Sequence, residues 1–218
     1  MIEKVKYMLS VRSYFFAKFY DATMKEVEEA CLGAWRAKLL AKTAGDVLEI
    51  GAGTGVNISY YPPGIRRLIL SEPDRHMRER LAQRVEESGI EQATVADSGA
   101  ELIDFPAASF DCVVSTLVLC SVKDQSASLQ EIYRLLRPDG AFFFIEHVLA
   151  EDNPRIIRWQ KFFNPLWNFM CCGCHLTRDT AEAIRQTGFQ TDQLERVIVE
   201  SAPAVIQSGI MGIVIKPA

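Results

Sequence analysis

Residues 49–55 read Glu49-Ile50-Gly51-Ala52-Gly53-Thr54-Gly55, and the fold follows from what lies on either side of them. Val47 to Ile50 predicts a short buried strand that delivers the chain into a glycine-rich turn. Glycines in that turn let the backbone bend tightly and approach a ligand with no Cβ in the way. A dinucleotide fingerprint, G-x-G-x-x-G, needs glycine at position 56, where this chain has Val56, and the third glycine comes one place early at Gly55. The loop therefore suits a nucleoside without a diphosphate better than a dinucleotide.

Working outward, strand-like and helix-like segments alternate. Residues 25 to 42 have helix-forming composition, with Gly45 as a plausible stop. Leu68 to Leu70 predicts a second strand, Asp74 a helix N-cap, and Gly89 the C-terminal stop of a charged helix running through Ser88. Thr94 to Ala96 and Asp111 to Thr116 predict two more strands. Ser126 to Leu136 is helical, and the turn Arg137-Pro138-Asp139-Gly140 leads into the strand Ala141 to His147. Further on, Pro154 to Met170 is an aromatic-rich helix, Thr177 caps a helix that stops at Gly188, and Arg196 to Glu200 and Ile210 to Lys216 are strands. Such alternation predicts an α/β fold: a doubly wound, mostly parallel seven-stranded sheet with helices on both faces. We expect one domain over 1–218, with an N-terminal helical cap (1–42), a cofactor-binding core (43–150) and a helical acceptor-pocket segment (151–190).

Ligands of such sheets bind beyond the carboxyl ends of the strands, where strand order reverses. Glu72, at the end of the second strand and about 20 residues past the loop, can accept hydrogen bonds from both hydroxyls of a ribose. Asp97, at the end of the third strand, is placed to meet an adenine edge.

Composition narrows the partners. Apolar residues make up 49% and charged residues 24% of 218, enough to bury a large core, and the net charge of −4 lacks the basic excess that phosphate-backbone binding demands. Nucleic acid is excluded as a partner on that ground. Six cysteines at 31, 112, 120, 171, 172 and 174 form no secreted disulfide pattern, which predicts a reducing, cytoplasmic setting. Lys4, Lys6, Arg12 and Lys18 interrupt the N-terminus, so no signal peptide is expected, and the apolar runs fall short of the roughly 20 residues of a bilayer span. The aromatic and basic N-terminus allows peripheral contact with a membrane surface, or a helix lying over the domain to cover a ligand.

In order and spacing, EIGAGTG, LSEPD, VADSG and FDCVVSTLVLCSV followed by LLRPDG resemble the motifs of class I S-adenosylmethionine-dependent methyltransferases. YYPPG at 60–64, TLVLCSV at 116–122, IEHV at 145–148, GC.LTR at 173–178 and IMG at 210–212 resemble more closely the animal membrane-associated alkyl-thiol S-methyltransferases. Those proteins begin with a long hydrophobic segment that this sequence lacks, so their localisation does not carry over. The resemblance implies S-adenosylmethionine as cofactor and S-adenosylhomocysteine as product. Glu49, Gly51, Ala52, Gly53, Thr54 and Gly55 would lie against its methionine part, and Glu72, with Pro73 and Met77 beside it, would hold the ribose. Asp97 and Ser98 would contact adenine, and Thr116 and Leu117 would floor the site near the sulfonium. Tyr20, in KFYDATM, either closes over the cofactor or packs in the core.

A methyl sulfonium is strongly electrophilic, so an enzyme need mainly align the nucleophile and exclude water, and a thiolate acceptor suffices. Glu146 and His147, at the end of the fifth strand, are the candidate catalytic residues, and His147 stands where a base would help; a strand-end histidine is also often only a satisfied hydrogen-bonding residue. The run Met170-Cys171-Cys172-Gly173-Cys174-His175 crowds four soft ligands into five positions with no second cluster in view, which argues against a metal site. We expect it to be pocket wall, with Trp159, Phe162, Phe163, Trp167 and Phe169 as apolar lining. The sequence thus predicts methyl transfer to a small apolar acceptor, an alkyl thiol first. A lipid amine, a quinone or arsenite are the alternative acceptors, and a regulatory protein that binds S-adenosylmethionine is the non-enzymatic one. Neither the acceptor nor the oligomeric state follows from the sequence.

Overall fold

A computed structural model describes the chain from residue 2 to residue 218, with side chains described from residue 10. The side chains of Lys4 and Lys6 thus lie outside the described residues. Strands β1 (Gly45–Ile50), β2 (Ile65–Ser71), β3 (Ala93–Ala96), β4 (Phe110–Thr116), β5 (Leu136–His147), β6 (Gln190–Ile198) and β7 (Ser208–Ile215) form one sheet in the order β3-β2-β1-β4-β5-β7-β6. The first five strands are parallel, whereas β7 runs antiparallel to both β5 and β6. Strand order reverses between β1 and β4, which is where such a sheet opens a crevice.

Period-two alternation along the strands divides the core in two. Leu48, Ile50, Val113, Phe142 and Phe144 pack on one face with Leu129 and Ile132 of α4 (Gln125–Leu135) and Ile184 of α6 (Thr180–Gln186). Val47, Cys112, Val114, Phe143 and Ile145 pack on the other with Leu39 and Leu40 of α2 (Gly33–Leu40) and Leu81 of α3 (Arg75–Ser88). The sheet is therefore covered on both sides, as its apolar parallel strands require.

The expected helix at 25–42 is part of a longer arrangement. α1 (Ile2–Val27) continues through a π-helical stretch at Glu28–Leu32 into α2, and Gly45, at φ +72°, opens β1 rather than closing the helix. The expected caps of α3 are present: the Asp74 carboxylate accepts from the amides of His76 and Met77, and Gly89 is left-handed at φ +66°. Two boundaries differ from expectation. Asp179, not Thr177, caps α6 by accepting from the Glu182 amide. Arg137 to Gly140 does not precede β5 but forms an irregularity inside it, since β4 pairs Phe110 with Leu136 and then Cys112 with Ala141. Asp139, at φ +61°, absorbs the excess chain.

α5 (Pro154–Met170) begins at its expected residue, capped by Asn153. It is anchored by one fully buried polar side chain, Gln160, whose oxygen accepts from Ala150 N–H and whose amide donates to the carbonyls of Val148 and Val205.

Candidate active site

The glycine loop leaves β1 at the switch point. Gly51 and Gly53 both have positive φ, +57° and +58°, but for different reasons. A Cβ on Gly51 would sit 2.6 Å from Val118 Cγ1, so the loop is pressed against the turn after β4. At Gly53 a Cβ would meet nothing nearer than the Gly51 carbonyl at 4.0 Å. That bare backbone faces open space of the kind a ligand fills. Past Gly55 the chain forms a short 3-10 turn, Val56–Tyr60, instead of the long helix whose N-terminus cradles a diphosphate. A nucleoside lacking one fits this loop.

Glu72 is buried, and its two carboxylate oxygens each accept one backbone amide, from Gly53 at 2.9 Å and from Asp74 at 2.8 Å. Those bonds fix the carboxylate beside the open face of the loop, and each oxygen keeps a lone pair for a further donor. Burial raises its pKa. Pro73 is exposed, Met77 is buried on α3, and Ser98 accepts from the Ser71 hydroxyl through its carbonyl at 2.6 Å. Asp97 lies at the end of β3 as expected but is largely exposed and ion-paired with Arg78 at 2.9 Å.

Other expected residues are engaged by partners that the sequence did not suggest. Glu49 is buried and accepts from Asn57 Nδ2 (2.9 Å) and the Tyr61 hydroxyl (2.7 Å); burial pushes its pKa up to about 7. The Thr116 hydroxyl takes bonds from Arg36 Nη1 (2.9 Å) and Asn57 Nδ2 (3.0 Å). Arg36, also buried, donates to Asn57 Oδ1 and pairs with Glu28 at 2.8 Å, so one guanidinium ties the π-helical stretch to the 3-10 turn and to the end of β4. Burial opposes its charge, and Glu28 outweighs burial. The only hint of Arg36 in the sequence is its place, with Lys38, as one of two cations in the apolar run ACLGAWRAKLL.

α1 lies over this end of the sheet. Asp21 accepts from the Thr54 hydroxyl at 2.6 Å and pairs with Arg84 at 2.7 Å, Ser13 donates to Asp74, and Arg12 donates to the Phe169 carbonyl at 2.7 Å. Tyr20 is half-buried, and burial raises its phenol pKa above the usual range. A groove of about 790 Å³ between α1 and the 3-10 turn, lined by Met24, Glu28, Gly55, Ile58 and Tyr60, opens on the outer side of the glycine loop. Glu72, Asp97 and Leu117 do not line it, so it is distinct from the crevice at the strand ends.

The turn after β4 carries Leu117 at φ +61°, its amide bonded to the Ile145 carbonyl. Glu146 holds this turn from beneath: one carboxylate oxygen accepts from the Ser115 hydroxyl (2.6 Å) and from the amides of Val118 and Leu119 (3.1 Å each), and the other has no partner. Burial pushes its pKa up to about 7. A catalytic role was expected of Glu146 beside His147, but these bonds tie its carboxylate to the turn instead.

His147 points elsewhere, to Cys174. Its Nε2 lies 2.9 Å from the Cys174 sulfur, and its buried Nδ1 has no partner. Cys120, which follows the expected core strand and sits in the turn after it, completes a buried triad: ligand atoms of Cys120, His147 and Cys174 lie within 4.8 Å of one another. The closeness of the two thiols lowers the pKa of Cys120 and raises that of Cys174. His147 is drawn upward, because the Cys120 charge outweighs burial. The expectation that the cysteine run has no second group of soft ligands is therefore corrected: the group exists, 27 and 54 residues upstream of Cys174. Several bonds bring the run there. His175 N–H donates to the Cys120 carbonyl (2.8 Å), Asn168 donates to the Gly173 carbonyl (2.8 Å), and Asn164 accepts from Leu176 N–H (2.8 Å).

The expected aromatic lining is corrected too. Trp167 turns inward, its Nε1 donating to Cys174 sulfur at 3.3 Å, but Trp159, Phe162, Phe163 and Phe169 are exposed on the outer face of α5. All six cysteines are free, and among the described residues no helix is long and apolar enough to cross a membrane.

A methyltransferase-domain family model matches residues 48–144. Human thiol S-methyltransferase TMT1A is 36% identical over 173 residues, covering 78% of this chain and 70% of the relative. Mouse thiol S-methyltransferase TMT1B is 36% identical over 193 residues, covering 86% and 75% respectively. The crystal structure of the YcgJ protein from Bacillus subtilis superposes with a TM-score of 0.68 at 18% identity, over 86% of this chain and 98% of that one, a likeness of fold. The open-faced glycine loop, the fixed carboxylate at the end of β2 and these relationships agree: the chain belongs to the class I S-adenosylmethionine-dependent methyltransferases, in the family of the thiol S-methyltransferases.

Proposed function

We propose that this enzyme methylates a small apolar thiol. The observation that carries the reading is the extent of the relationship to TMT1A, which at 173 residues runs well beyond the cofactor core at 48–144 and into the segments that frame the acceptor side. In this reading Gly51, Ala52, Gly53, Thr54 and Gly55 with Glu49 receive the methionine part of the cofactor, Glu72, Pro73 and Met77 the ribose, and Asp97 and Ser98 the adenine. Thr116 and Leu117 floor the site, and Tyr20 closes it from α1. When bound, the cofactor supplies a methyl group on a positively charged sulfur. The protein's own work is to hold the acceptor in line, keep water out and help the acceptor ionise, the last falling to His147 at the end of β5. Residues 151–190 frame the acceptor, and the six free thiols favour a reducing, cytoplasmic setting.

The test is formation of S-adenosylhomocysteine with a panel of alkyl thiols, beside phospholipid amine, quinol and arsenite controls. Turnover with alkyl thiols is expected. Activity on a lipid or on arsenite and on none of the thiols would replace the acceptor, and cofactor binding without turnover on any of them would leave a regulatory protein.

Peripheral contact with a lipid surface belongs to the same reading. It is supported by exposed Phe15 and Phe19 on α1 and Trp159, Phe162 and Phe169 on α5, with Arg155, Arg158 and Lys161 near them. Co-flotation with anionic liposomes that drops in Trp159→Ser/Phe162→Ser is the expected result; equal flotation of both proteins would dismiss it.

A further inference from the structure

The triad at the ends of β4 and β5 has no role in holding the cofactor. Its members come from three separate elements: the turn after β4, the last residue of β5 and the loop between α5 and α6. They are 2%, 7% and 8% exposed for Cys120, His147 and Cys174. A histidine kept in a core for packing alone would have both ring nitrogens satisfied, yet His147 Nδ1 has no partner. Hydrogen bonds fasten the sulfurs from outside: Trp167 Nε1 to Cys174 at 3.3 Å and the Ser121 hydroxyl beside Cys120 at 3.4 Å. Polar partners behind metal-binding groups orient them in this way.

We propose that Cys120, His147 and Cys174 form a zinc site with one open position, and that this position takes the sulfur of the acceptor thiol. The second part rests on the thiol reading above. Two sulfurs and one imidazole suit Zn²⁺, which occurs in catalytic sites with three protein ligands and an exchangeable fourth. Tetrahedral zinc with Zn–S bonds of about 2.3 Å holds two sulfurs about 3.8 Å apart. The three atoms, already within 4.8 Å, need to move by only a fraction of that to meet it. Charge agrees as well. Two thiolates, a neutral imidazole and Zn²⁺ sum to zero, the charge a buried site tolerates best. Cys171 and Cys172 are half-buried and stand outside the triad.

The site lies two strands from the glycine loop along the sheet, since β1 neighbours β4 and β4 neighbours β5. At about 4.8 Å per strand, acceptor and cofactor would meet across about 10 Å of crevice. An incoming thiol loses its proton to solvent on binding, because a coordinated thiol is deprotonated. A lone pair of that sulfur then forms the new C–S bond as the bond from the methyl carbon to the cofactor's sulfur breaks, and the departing electron pair neutralises the sulfonium. The product thioether is neutral and a weaker ligand, so it leaves.

The test begins with metal content and cobalt titration of the purified, metal-stripped protein. Binding of one metal per chain with a thiolate-to-cobalt charge-transfer band is expected, lost in Cys120→Ser and Cys174→Ser and kept in Cys172→Ser. Should the first two variants misfold, the wild type decides: for two of its six thiols, zinc should add to the shielding that burial already gives, slowing their reaction with a thiol reagent further. Adding an alkyl thiol should shift the cobalt band, and stripping metal should lower thiol methylation by about tenfold or more, restored by zinc. No added thiol shielding, or full thiol turnover in stripped protein, overturns the zinc proposal and leaves the thiol reading intact. Metal binding without turnover on any thiol upholds the site and overturns the acceptor. Uptake of arsenite but not zinc overturns the choice of metal.

Discussion

At the scale of single residues, the loop glycines differ in what they contribute, and substitution separates them. Gly51→Ala must force a Cβ against Val118, where overpacking costs about 1–3 kcal/mol on top of the strain of a left-handed backbone. Gly53→Ala meets open space, so it should cost only the strain, about 1–2 kcal/mol, and yet weaken S-adenosylhomocysteine binding at least about tenfold. Urea unfolding and calorimetry read the two effects; wild-type affinity in Gly53→Ala would show that the ligand does not approach there. Glu49 gives a pH signature. Its folded pKa of about 7 lies above the ordinary 4.5, so the stability it contributes is complete below about pH 4.5 and is lost as pH rises through 7. Glu146 behaves alike, with a pKa of about 7. Glu49→Gln, neutral throughout, should therefore show a smaller fall in Tm than the wild type over that interval, and identical falls would remove burial of Glu49 as the cause. The glycine loop and Glu72 were readable because each stands at a strand end in a contiguous motif. Arg36, Asn57 and the Cys120–His147–Cys174 triad were not, since nothing local says that residues 27 or 54 apart converge.

At the scale of elements, burial and capping explain both the boundaries that sequence patterns found and those they missed. Asp74 and Pro154 mark helix starts through side-chain and φ chemistry that is local, and those starts were legible. Thr177 and Asp179 are both capable caps, and only the packing of Arg178 between them, its carbonyl bonded to Leu149 N–H, selects the second. The outward face of α5 was misread for a related reason: an aromatic-rich helix looks like core until its anchor is known. That anchor is Gln160. Gln160→Leu would orphan Ala150 N–H and the carbonyls of Val148 and Val205, at about 1 kcal/mol or more each. A total near 3 kcal/mol should lower Tm by about 6–12 °C. Because α5 carries Asn164, Trp167 and Asn168, the same change should loosen the Cys174 loop and make Cys174 reactive toward thiol reagents at native temperature. A large loss of Tm with Cys174 still protected would uncouple the helix from the loop.

At the scale of the whole molecule, a mostly parallel seven-stranded sheet follows from alternating strands and helices, whereas the strand order and the antiparallel pairing of β7 with β5 and β6 come only from the folded chain. The placement of α1 did not follow, because a long amphipathic helix can lie on its own domain in many ways. Here it touches the glycine loop through Asp21, the start of α3 through Ser13 and the end of α5 through Arg12. The Arg84–Asp21 pair is partly exposed, with side chains 38% and 44% accessible, so salt should weaken it. Going from about 0.1 M to about 1 M salt shortens the screening length from about 10 Å to about 3 Å. Release of S-adenosylhomocysteine, followed by stopped flow, should quicken over that range and should be fast and salt-insensitive in Asp21→Asn. Equal release rates in the variant and the wild type would free α1 of any part in it. Thr54 and Asp74 flank the space where a nucleoside would lie, and α1 is fastened to both. If the proposed site is right, a nucleoside of that size leaves only after the helix peels away, and the ceiling on turnover is then a mechanical one: the frequency with which this strap unbuckles, however fast the methyl group itself moves.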